Sequence, residues 1–227
     1  MRWRVRPVHG WPEFLTELAI VVFGVLIALG AQQLVDDWHG RRDVADLRTA
    51  VDAEVAENLA GYRRRIGESP CLNRKLDQLD RWQQAWRGGA GPAASGTIGR
   101  PRPPNNRTSV WRTGATGIAG QMPLDQRLTY GDIYDALDAY DSLRTRENAV
   151  WFQFFAFDGA QRLSPPEVNQ LRGLILSARS IDQALQSNYE QIVGEAAGIG
   201  IRPRPVDPVI EARVLALTGL CEPLATG

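Results

Sequence analysis

The first hydrophobic feature of the chain is an uncharged run from Leu18 to Ala31. This run has 14 residues, fewer than the ~20 that a helix needs to cross the hydrocarbon core of a bilayer. Extended to residues 14–35 it gives about 33 Å of helix, and the polar residues it then admits lie near its ends. Trp11 and Trp38 bracket it about 40 Å apart along a helix, as expected of aromatic anchors at two membrane interfaces. We therefore predict a transmembrane helix over residues 14–35.

Two other interpretations of the run stay open. In a cleaved signal peptide, the three arginines among the first six residues would form the basic region and residues 18–29 the apolar region. Glu13 and Glu17, which directly precede the run, argue against that reading. A run of this length also fits a buried core helix.

Beyond the run, apolar residues recur at spacings of three and four, which predicts further helices. These run to about residue 66, from 69 to about 88, from 123 to about 163, from 165 to about 197, and from 209 to 217. Gly40 is a possible bend in the first helix, and Gly131 a possible break in the third. Ser164, Pro165 and Glu167 form a capping box with proline at the first helical position. No segment alternates with period two, so we predict an all-α fold, in which an N-terminal transmembrane helix precedes a bundle of four or five helices.

The predicted organisation has four parts. A short cytoplasmic tail (1–13) precedes the transmembrane helix, and a stalk or first domain helix (36–66) follows it. The remaining residues, 67–227, form a helical extracytoplasmic domain. Within that domain, residues 88–107 are rich in glycine and proline, and this composition predicts a flexible loop.

Charge and residue usage narrow the chemistry. Lysine plus arginine and aspartate plus glutamate both number 26, so the chain lacks the basic excess of a nucleic-acid binder. His9 and His39 are the only histidines. The domain therefore has no imidazole for a Ser-His-Asp triad or a zinc site. We predict no cofactor, no metal ion and no catalytic residue.

Cys71 and Cys221 are the only cysteines and lie near the two ends of the domain. One pair fits a single disulfide formed in an oxidising compartment, although two unrelated buried thiols would fit too. The arginines on the two sides of the membrane segment are nearly tied in number, so the positive-inside rule gives no orientation. The disulfide favours a periplasmic domain and a cytoplasmic N-terminus.

Three further patterns have a functional and a plain interpretation. Gly24, Ala28 and Ala31 line one face of the membrane helix, where small residues allow two helices to dimerise, although such residues are common in membrane helices. The aromatic run 151–157 fits a ligand pocket or a partner surface, but aromatic stripes at helical spacing are more often core. Four aspartates spaced by three, from Asp132 to Asp141, are typical of a solvated face; their enzymatic alternative is acid–base chemistry.

The segment Glu13-Phe14-Leu15-Thr16-Glu17 and the following IVVFGVLIALGAQQ, with Trp38 and charged residues after it, resemble an uncharacterised bacterial family. Its members are small single-pass inner-membrane proteins with an N-terminal segment of the type E-x3-I-V-V-G-V-L-I-A-L. The resemblance covers residues 13–65. It implies an inner-membrane protein and supplies no catalytic residues.

These observations predict a membrane-anchored, non-enzymatic interaction or scaffold protein. Its expected partners are the lipid bilayer, another membrane or envelope protein, and a second copy bound through the transmembrane helix; nucleic acid is not expected. The alternative is a sensor domain that binds a small ligand or lipid and acts through a membrane partner. A carboxylate-based enzyme is the third hypothesis.

Overall fold

The computed structural model describes residues 10–226, apart from the side chains of Glu13, Ala225 and Thr226. Residues 1–9, which make up most of the predicted tail, lie outside this range. The helices are α1 (Trp11–Gly67), α2 (Ser69–Arg87), α3 (Ser109–Gly114), α4 (Leu124–Phe154), α5 (Pro165–Gly198) and α6 (Pro208–Ala216). Short 3-10 turns occupy Ile118–Gln121 and Phe155–Phe157, and the two-residue strands β1 (Ala94–Ser95) and β2 (Ala225–Thr226) pair antiparallel. The predicted all-α fold is confirmed.

Helix α1 has 57 residues and is about 85 Å long. Its first part is exposed and apolar, and its second part packs in the domain. Its side chains between residues 10 and 39 are exposed where they are described. Within the described part of the chain, this is the one stretch long and apolar enough to cross a membrane, and none of it is buried against the domain. From Leu47 to Tyr62, apolar side chains of the same helix are buried in the domain.

Helix α1 passes through Gly40 without interruption. The side chain of Gln121, from the 3-10 turn before α4, packs against the helix at Gly40, just beyond the predicted membrane segment. A Cβ atom at Gly40 would displace the end of this flexible side chain.

Two clusters of buried side chains form the core, and α5 contributes to both. The first joins α1, the first half of α4 and the second half of α5, and includes Val51, Val55, Leu59, Ile133, Leu137, Tyr140, Leu185 and Ile192. The second joins α2, the end of α4 and the first half of α5, and includes Leu72, Leu76, Leu79, Trp151, Phe154, Leu171 and Ile175. The long helices α4 and α5 thus bind the α1 side and the α2 side into one body.

The ends of α4 and α5 show how the chain reverses between them. Helix α4 is unbroken at Gly131 but ends at Phe154, nine residues before the predicted end. A 3-10 turn follows, and Gly159, with φ of 65°, turns the chain towards α5. The predicted capping box is present, since the backbone N–H of Ser164 donates to Glu167 Oε2 at 2.7 Å.

Residues 88–107 are irregular, apart from β1, but they are pinned to the domain. The indole N–H groups of Trp82 and Trp86 both donate to the carbonyl oxygen of Pro92. Ala94 and Ile98 are buried. The glycines and prolines therefore shape a covering segment that fills the surface between α2 and the C-terminus.

Candidate functional site

The two predicted membrane-interface residues both lie on α1. Trp11 and Trp38 are 80% and 54% exposed on α1. The guanidinium of Arg42 lies 5.7 Å from the centre of the Trp38 ring, a cation–π contact. Trp38 therefore stands beside a cation at the boundary between the apolar segment and the charged part of α1, as expected of an interfacial anchor.

Gly24, Ala28 and Ala31 are all exposed on the apolar part of α1. A Cβ atom added at Gly24 would meet nothing within 4 Å, so the surface around it is open. Dimerisation through this face remains a prediction.

Cys71 and Cys221 are joined as a disulfide, with their Cα atoms 4.7 Å apart. The bond fixes the C-terminal tail on α2, two residues after the first residue of that helix, Ser69. Two other contacts hold the same tail, since Leu220 is buried and the N–H of Leu224 donates to Gln78 Oε1 at 2.8 Å. These contacts hold the tail against the second core cluster.

The aromatic run 151–157 divides between core and surface. Trp151, Phe154 and Phe157 are buried, whereas Phe152 and Phe155 are exposed. The guanidinium of Arg100 lies 4.9 Å from the centre of the Phe152 ring. The run therefore builds core at the end of α4.

The aspartates of α4 face solvent. Asp132, Asp135 and Asp138 are exposed and Asp141 is half-buried. Asp138 pairs with Arg112 at 3.2 Å, and Asp141 pairs with Arg144 on its own helix at 3.1 Å. Across residues 10–226, no group of three or more histidine, cysteine, aspartate or glutamate side chains is arranged to hold a metal ion.

The most concentrated chemistry is a buried charge network around Arg65, at the end of α1. Its guanidinium is fully buried and donates to Glu147 on α4 through both Nε and Nη2. The same Nη2 lies 3.0 Å from Asp182 Oδ1 on α5, and the hydroxyl of Ser69 donates to that oxygen at 2.8 Å. Glu147 and Asp182 are 1% and 2% exposed. One arginine at the end of α1 thus links the start of α2, the last third of α4 and the middle of α5.

Charge balance in this network affects a third carboxyl group. Burial lowers the pKa of Arg65, but its bond to Glu147 and the charges of Glu147 and Asp182 outweigh this, so its pKa lies above the ordinary value. Glu68 lies close by, and its burial raises its pKa to about 7 despite the nearby Arg65 charge. A single guanidinium therefore pairs with two carboxylates, those of Glu147 and Asp182, while the carboxyl group of Glu68 holds a proton up to near-neutral pH.

Glu68 also lines a cavity of about 380 Å³ between the end of α1 and α6. Its lining residues are Arg63, Arg64, Gly67 and Glu68 on one side and Pro208, Glu211, Ala212, Val214 and Leu215 on the other. The first wall is charged, and the second is mainly apolar. This division is typical of a site that orients a small molecule by one polar end.

The two arginines of the cavity are not consumed by ion pairs. Neither Arg63 nor Arg64 lies within 4.0 Å of a carboxylate in the part of the chain that the structure describes. Arg64 Nε is buried and has no hydrogen-bond partner, and Arg63 Nη2 donates to the carbonyl oxygen of Arg204 at 3.4 Å. A buried guanidinium N–H without an acceptor costs free energy, which an incoming acceptor would recover.

Helix α6 covers this cavity without becoming part of the core. None of its nine residues is buried. The chain is fixed on either side of it. Before the helix, the N–H of Arg204 donates to the carbonyl oxygen of Ala56; after it, Thr218 accepts from Arg100 N. Helix α6 is thus tethered at both ends and loosely packed between them.

Lys75, the only lysine, is another buried cation. It is 1% exposed, and its ammonium has no hydrogen-bond partner. Burial lowers its pKa, against the charges of Glu222 and Asp158, which raise it. It lies on α2 between Cys71, which forms the disulfide, and Gln78, which binds the C-terminal tail. It does not line the cavity.

Comparison with protein families, with curated proteins and with solved structures yields no match for this chain. The resemblance of residues 13–65 to an uncharacterised inner-membrane family therefore stays a prediction.

The buried network escaped the sequence interpretation, although the spacing contained a signal for it. Arg65 follows Tyr62 by three residues on the buried stripe of α1. Glu147 lies midway between Leu143 and Trp151 on the stripe of α4. A charged residue on an apolar stripe of each helix indicates mutual pairing, because a buried charge needs a partner.

Proposed function

We propose that the chain is a membrane-anchored, non-enzymatic interaction protein whose helical domain lies outside the cytoplasm, with its N-terminus inside. The observation that carries this proposal is the continuity of α1, which runs from the apolar segment into the first core cluster without a break. A domain joined to its anchor by one helix has a fixed height and orientation at the membrane. Such geometry suits a protein that presents a surface to a membrane partner.

The compartment is inferred from the Cys71–Cys221 bond. Disulfides persist in oxidising compartments and are rare in the cytoplasm. In a bacterium with an inner membrane, this favours the periplasm for the domain. The short N-terminal tail then stays in the cytoplasm, and the bilayer itself is the first partner.

A surface beside the anchor supports a membrane-embedded partner. Pro123, which precedes α4, lines an open cleft together with Asp37 and Gly40 of α1. Directly after it, Leu124 and Leu128 are 59% and 58% exposed. Two exposed leucines next to the predicted membrane surface are in position to contact another protein at the bilayer.

The thiol state tests the orientation. Intact cells and lysates are treated with a heavy maleimide, with and without reductant, and the shift of the protein is read on a gel. We expect Cys71 and Cys221 to react only after reduction and denaturation. Thiols that react without reductant, but only after lysis, would place the domain in the cytoplasm and overturn the orientation.

Site-specific photo-crosslinking tests the interaction role. A photoreactive residue replaces Leu124 in the full chain, and the matched control carries it at Leu176, which is 57% exposed on α5. We expect a discrete adduct from position 124, recovered after solubilisation in different detergents, and none from position 176. Its mass distinguishes a second copy from another membrane protein. No adduct at position 124, or equal adducts at both positions, would count against the proposal.

The alternative function, a sensor domain that binds a small ligand or lipid, now depends on the cavity beneath α6 and no longer on the aromatic run 151–157. The aromatic run lies mainly in the core, whereas the cavity beneath α6 has the size and the mixed lining of a ligand site.

A further inference from the structure

We infer that the cavity between α1 and α6 binds a free anionic amphiphile, whose charged head pairs with Arg64 and Arg63 and whose slim apolar tail lies against α6. This inference stands apart from the interaction role proposed above, because it concerns a different surface of the domain.

The size of the cavity sets the class of ligand. Its volume of about 380 Å³ falls near the lower end of the range of ~300–1,000 Å³ found for small-molecule sites. A two-chain phospholipid is too large for such a space. A single short acyl chain with one head group is the better fit.

The charges of the cavity select an anionic head. Arg64 and Arg63 form no ion pair within residues 10–226, and Arg64 Nε is buried without an acceptor. Of the two acidic residues in the lining, Glu68 is 5% exposed, and burial raises the pKa of its carboxyl group to about 7, so it carries only part of a negative charge at neutral pH. The positive charge of the two arginines is therefore only partly offset, by Glu211 and by the ionised fraction of Glu68. A carboxylate or phosphate would accept the unused guanidinium N–H groups.

The opposite wall selects an apolar tail. Ala212, Val214 and Leu215 line the cavity from α6, and Pro208 adds a further apolar surface at the start of that helix. None of these side chains is buried in the domain core. A bound tail would therefore remove exposed apolar surface on α6 from water, at about 25 cal/mol per Å².

Distance along α1 separates this ligand from the lipids of the bilayer. Arg63 lies 28 residues beyond Val35, about 42 Å along a helix. A head group in the membrane surface does not extend that far. If α1 spans the bilayer as proposed, the amphiphile reaches the cavity as a free molecule.

Entry needs only a movement of α6. The helix buries none of its residues, and the chain is fixed before it at Arg204 and after it at Thr218 and the disulfide. The helix can thus lift from α1 while its flanking segments stay in place.

Equilibrium dialysis of ¹⁴C-decanoate tests the inference. The full-length protein is held in nanodiscs of uncharged lipid, and binding to empty nanodiscs is subtracted. We expect one saturable site per chain, at least about tenfold weaker binding of uncharged decanol, and no saturable binding of acetate. Arg64→Gln should weaken decanoate binding by about tenfold or more, because it removes the charged donor. Ala212→Trp should abolish it by filling the cavity.

Arg172→Gln is the matched control, since Arg172 is an exposed arginine on α5 outside the cavity lining. It should bind decanoate like the unmodified chain. Retention of the Cys71–Cys221 bond and of the urea midpoint shows that each variant is folded. The inference is overturned if decanoate does not bind saturably, if decanol or acetate binds as tightly, or if folded Arg64→Gln and Ala212→Trp variants bind like the control.

Discussion

Replacing Arg65 by methionine should destabilise the domain more than any single surface change. Methionine preserves much of the length and apolar volume of the side chain but removes the guanidinium. Glu147 and Asp182, which are 1% and 2% exposed, would then be left without their shared cation. Ser69 would still donate to Asp182. No described hydrogen bond other than those from Arg65 reaches Glu147 through its carboxylate.

The size of the effect follows from the burial of this network. Breaking a buried ion pair by removing one partner costs about 3–5 kcal/mol, mainly because the remaining charge stays desolvated. Two carboxylates depend on Arg65, so we expect a loss towards the upper end of that range. Arg179→Met is the matched control, because Arg179 pairs with Asp77 at 2.7 Å where both side chains are more than a third exposed. An exposed pair contributes only about 0–1 kcal/mol.

Urea unfolding of the full-length protein in detergent measures both variants, with the fluorescence of the buried Trp82 and Trp151 as the signal. We expect Arg65→Met to lower the free energy of unfolding by at least about 3 kcal/mol relative to Arg179→Met. Adding Glu147→Gln and Asp182→Asn to Arg65→Met should recover part of this loss, because no unpaired buried charge remains. Equal stability of the two methionine variants would refute the argument, as would a triple variant less stable than Arg65→Met alone.

Three further predictions concern the other buried groups. Lys75→Met should raise the free energy of unfolding at pH 7 by about 1 kcal/mol or more, because it removes a buried ammonium without a partner. Because the pKa of Lys75 is lowered in the folded protein, the cost of burying it falls with rising pH, and the gain should shrink as the pH approaches 10.5. Urea titrations at several pH values measure this, and a constant gain would contradict the explanation. Glu68, with its pKa raised from 4.5 to about 7, contributes stability that is fully present below pH 4.5 and is lost as the pH rises through 7, about 3 kcal/mol in all. Glu68→Gln should therefore gain stability relative to the unmodified chain between pH 5 and pH 8, and parallel pH profiles would speak against it. Replacing both Cys71 and Cys221 by serine should lower the free energy of unfolding by up to about 5 kcal/mol, because the bond closes a loop of 150 residues. It should also speed amide hydrogen exchange in the C-terminal tail. Unchanged exchange there would show that packing alone fixes the tail.

Local sequence rules located most of the helices but not all of their ends. The capping box fixed the start of α5 within a residue, because Ser164, Pro165 and Glu167 act within a single turn. The end of α4 was placed nine residues too late, since the aromatic run keeps helical spacing beyond Phe154. After the helix, Gly159 at φ of 65° turns the chain, and a tertiary contact holds this turn. Asp158 accepts a hydrogen bond from the N–H of Ile98, a residue 60 positions away that periodicity does not relate to it.

The candidate cavity was less predictable from the sequence than the fold. Arg63, Arg64 and Arg65 are consecutive and chemically identical in the printed sequence. The rotation of 100° per residue along α1 turns Arg65 into the core and leaves Arg63 and Arg64 facing α6. Only the packing of α4 and α5 on one side, and the return of the chain after Gly200 on the other, gives these neighbours different roles. Such roles depend on contacts across more than a hundred residues, which a single sequence does not contain.

Stability is distributed unevenly in this domain. Helices α1, α2, α4 and α5 form a fixed frame, and α6 is a cover that packs loosely on it. The Arg65 network ties together α1, α2, α4 and α5 at the point where the two core clusters meet. The disulfide adds a covalent tie between α2 and the tail. Between these fixed points, α6 contributes no fully buried side chain, and it packs against the second core cluster only through the partly buried Leu215. Elements of low local stability are those that open without global unfolding. The frame can therefore stay folded while α6 moves away from Arg64 and widens a cavity that is already partly open to solvent.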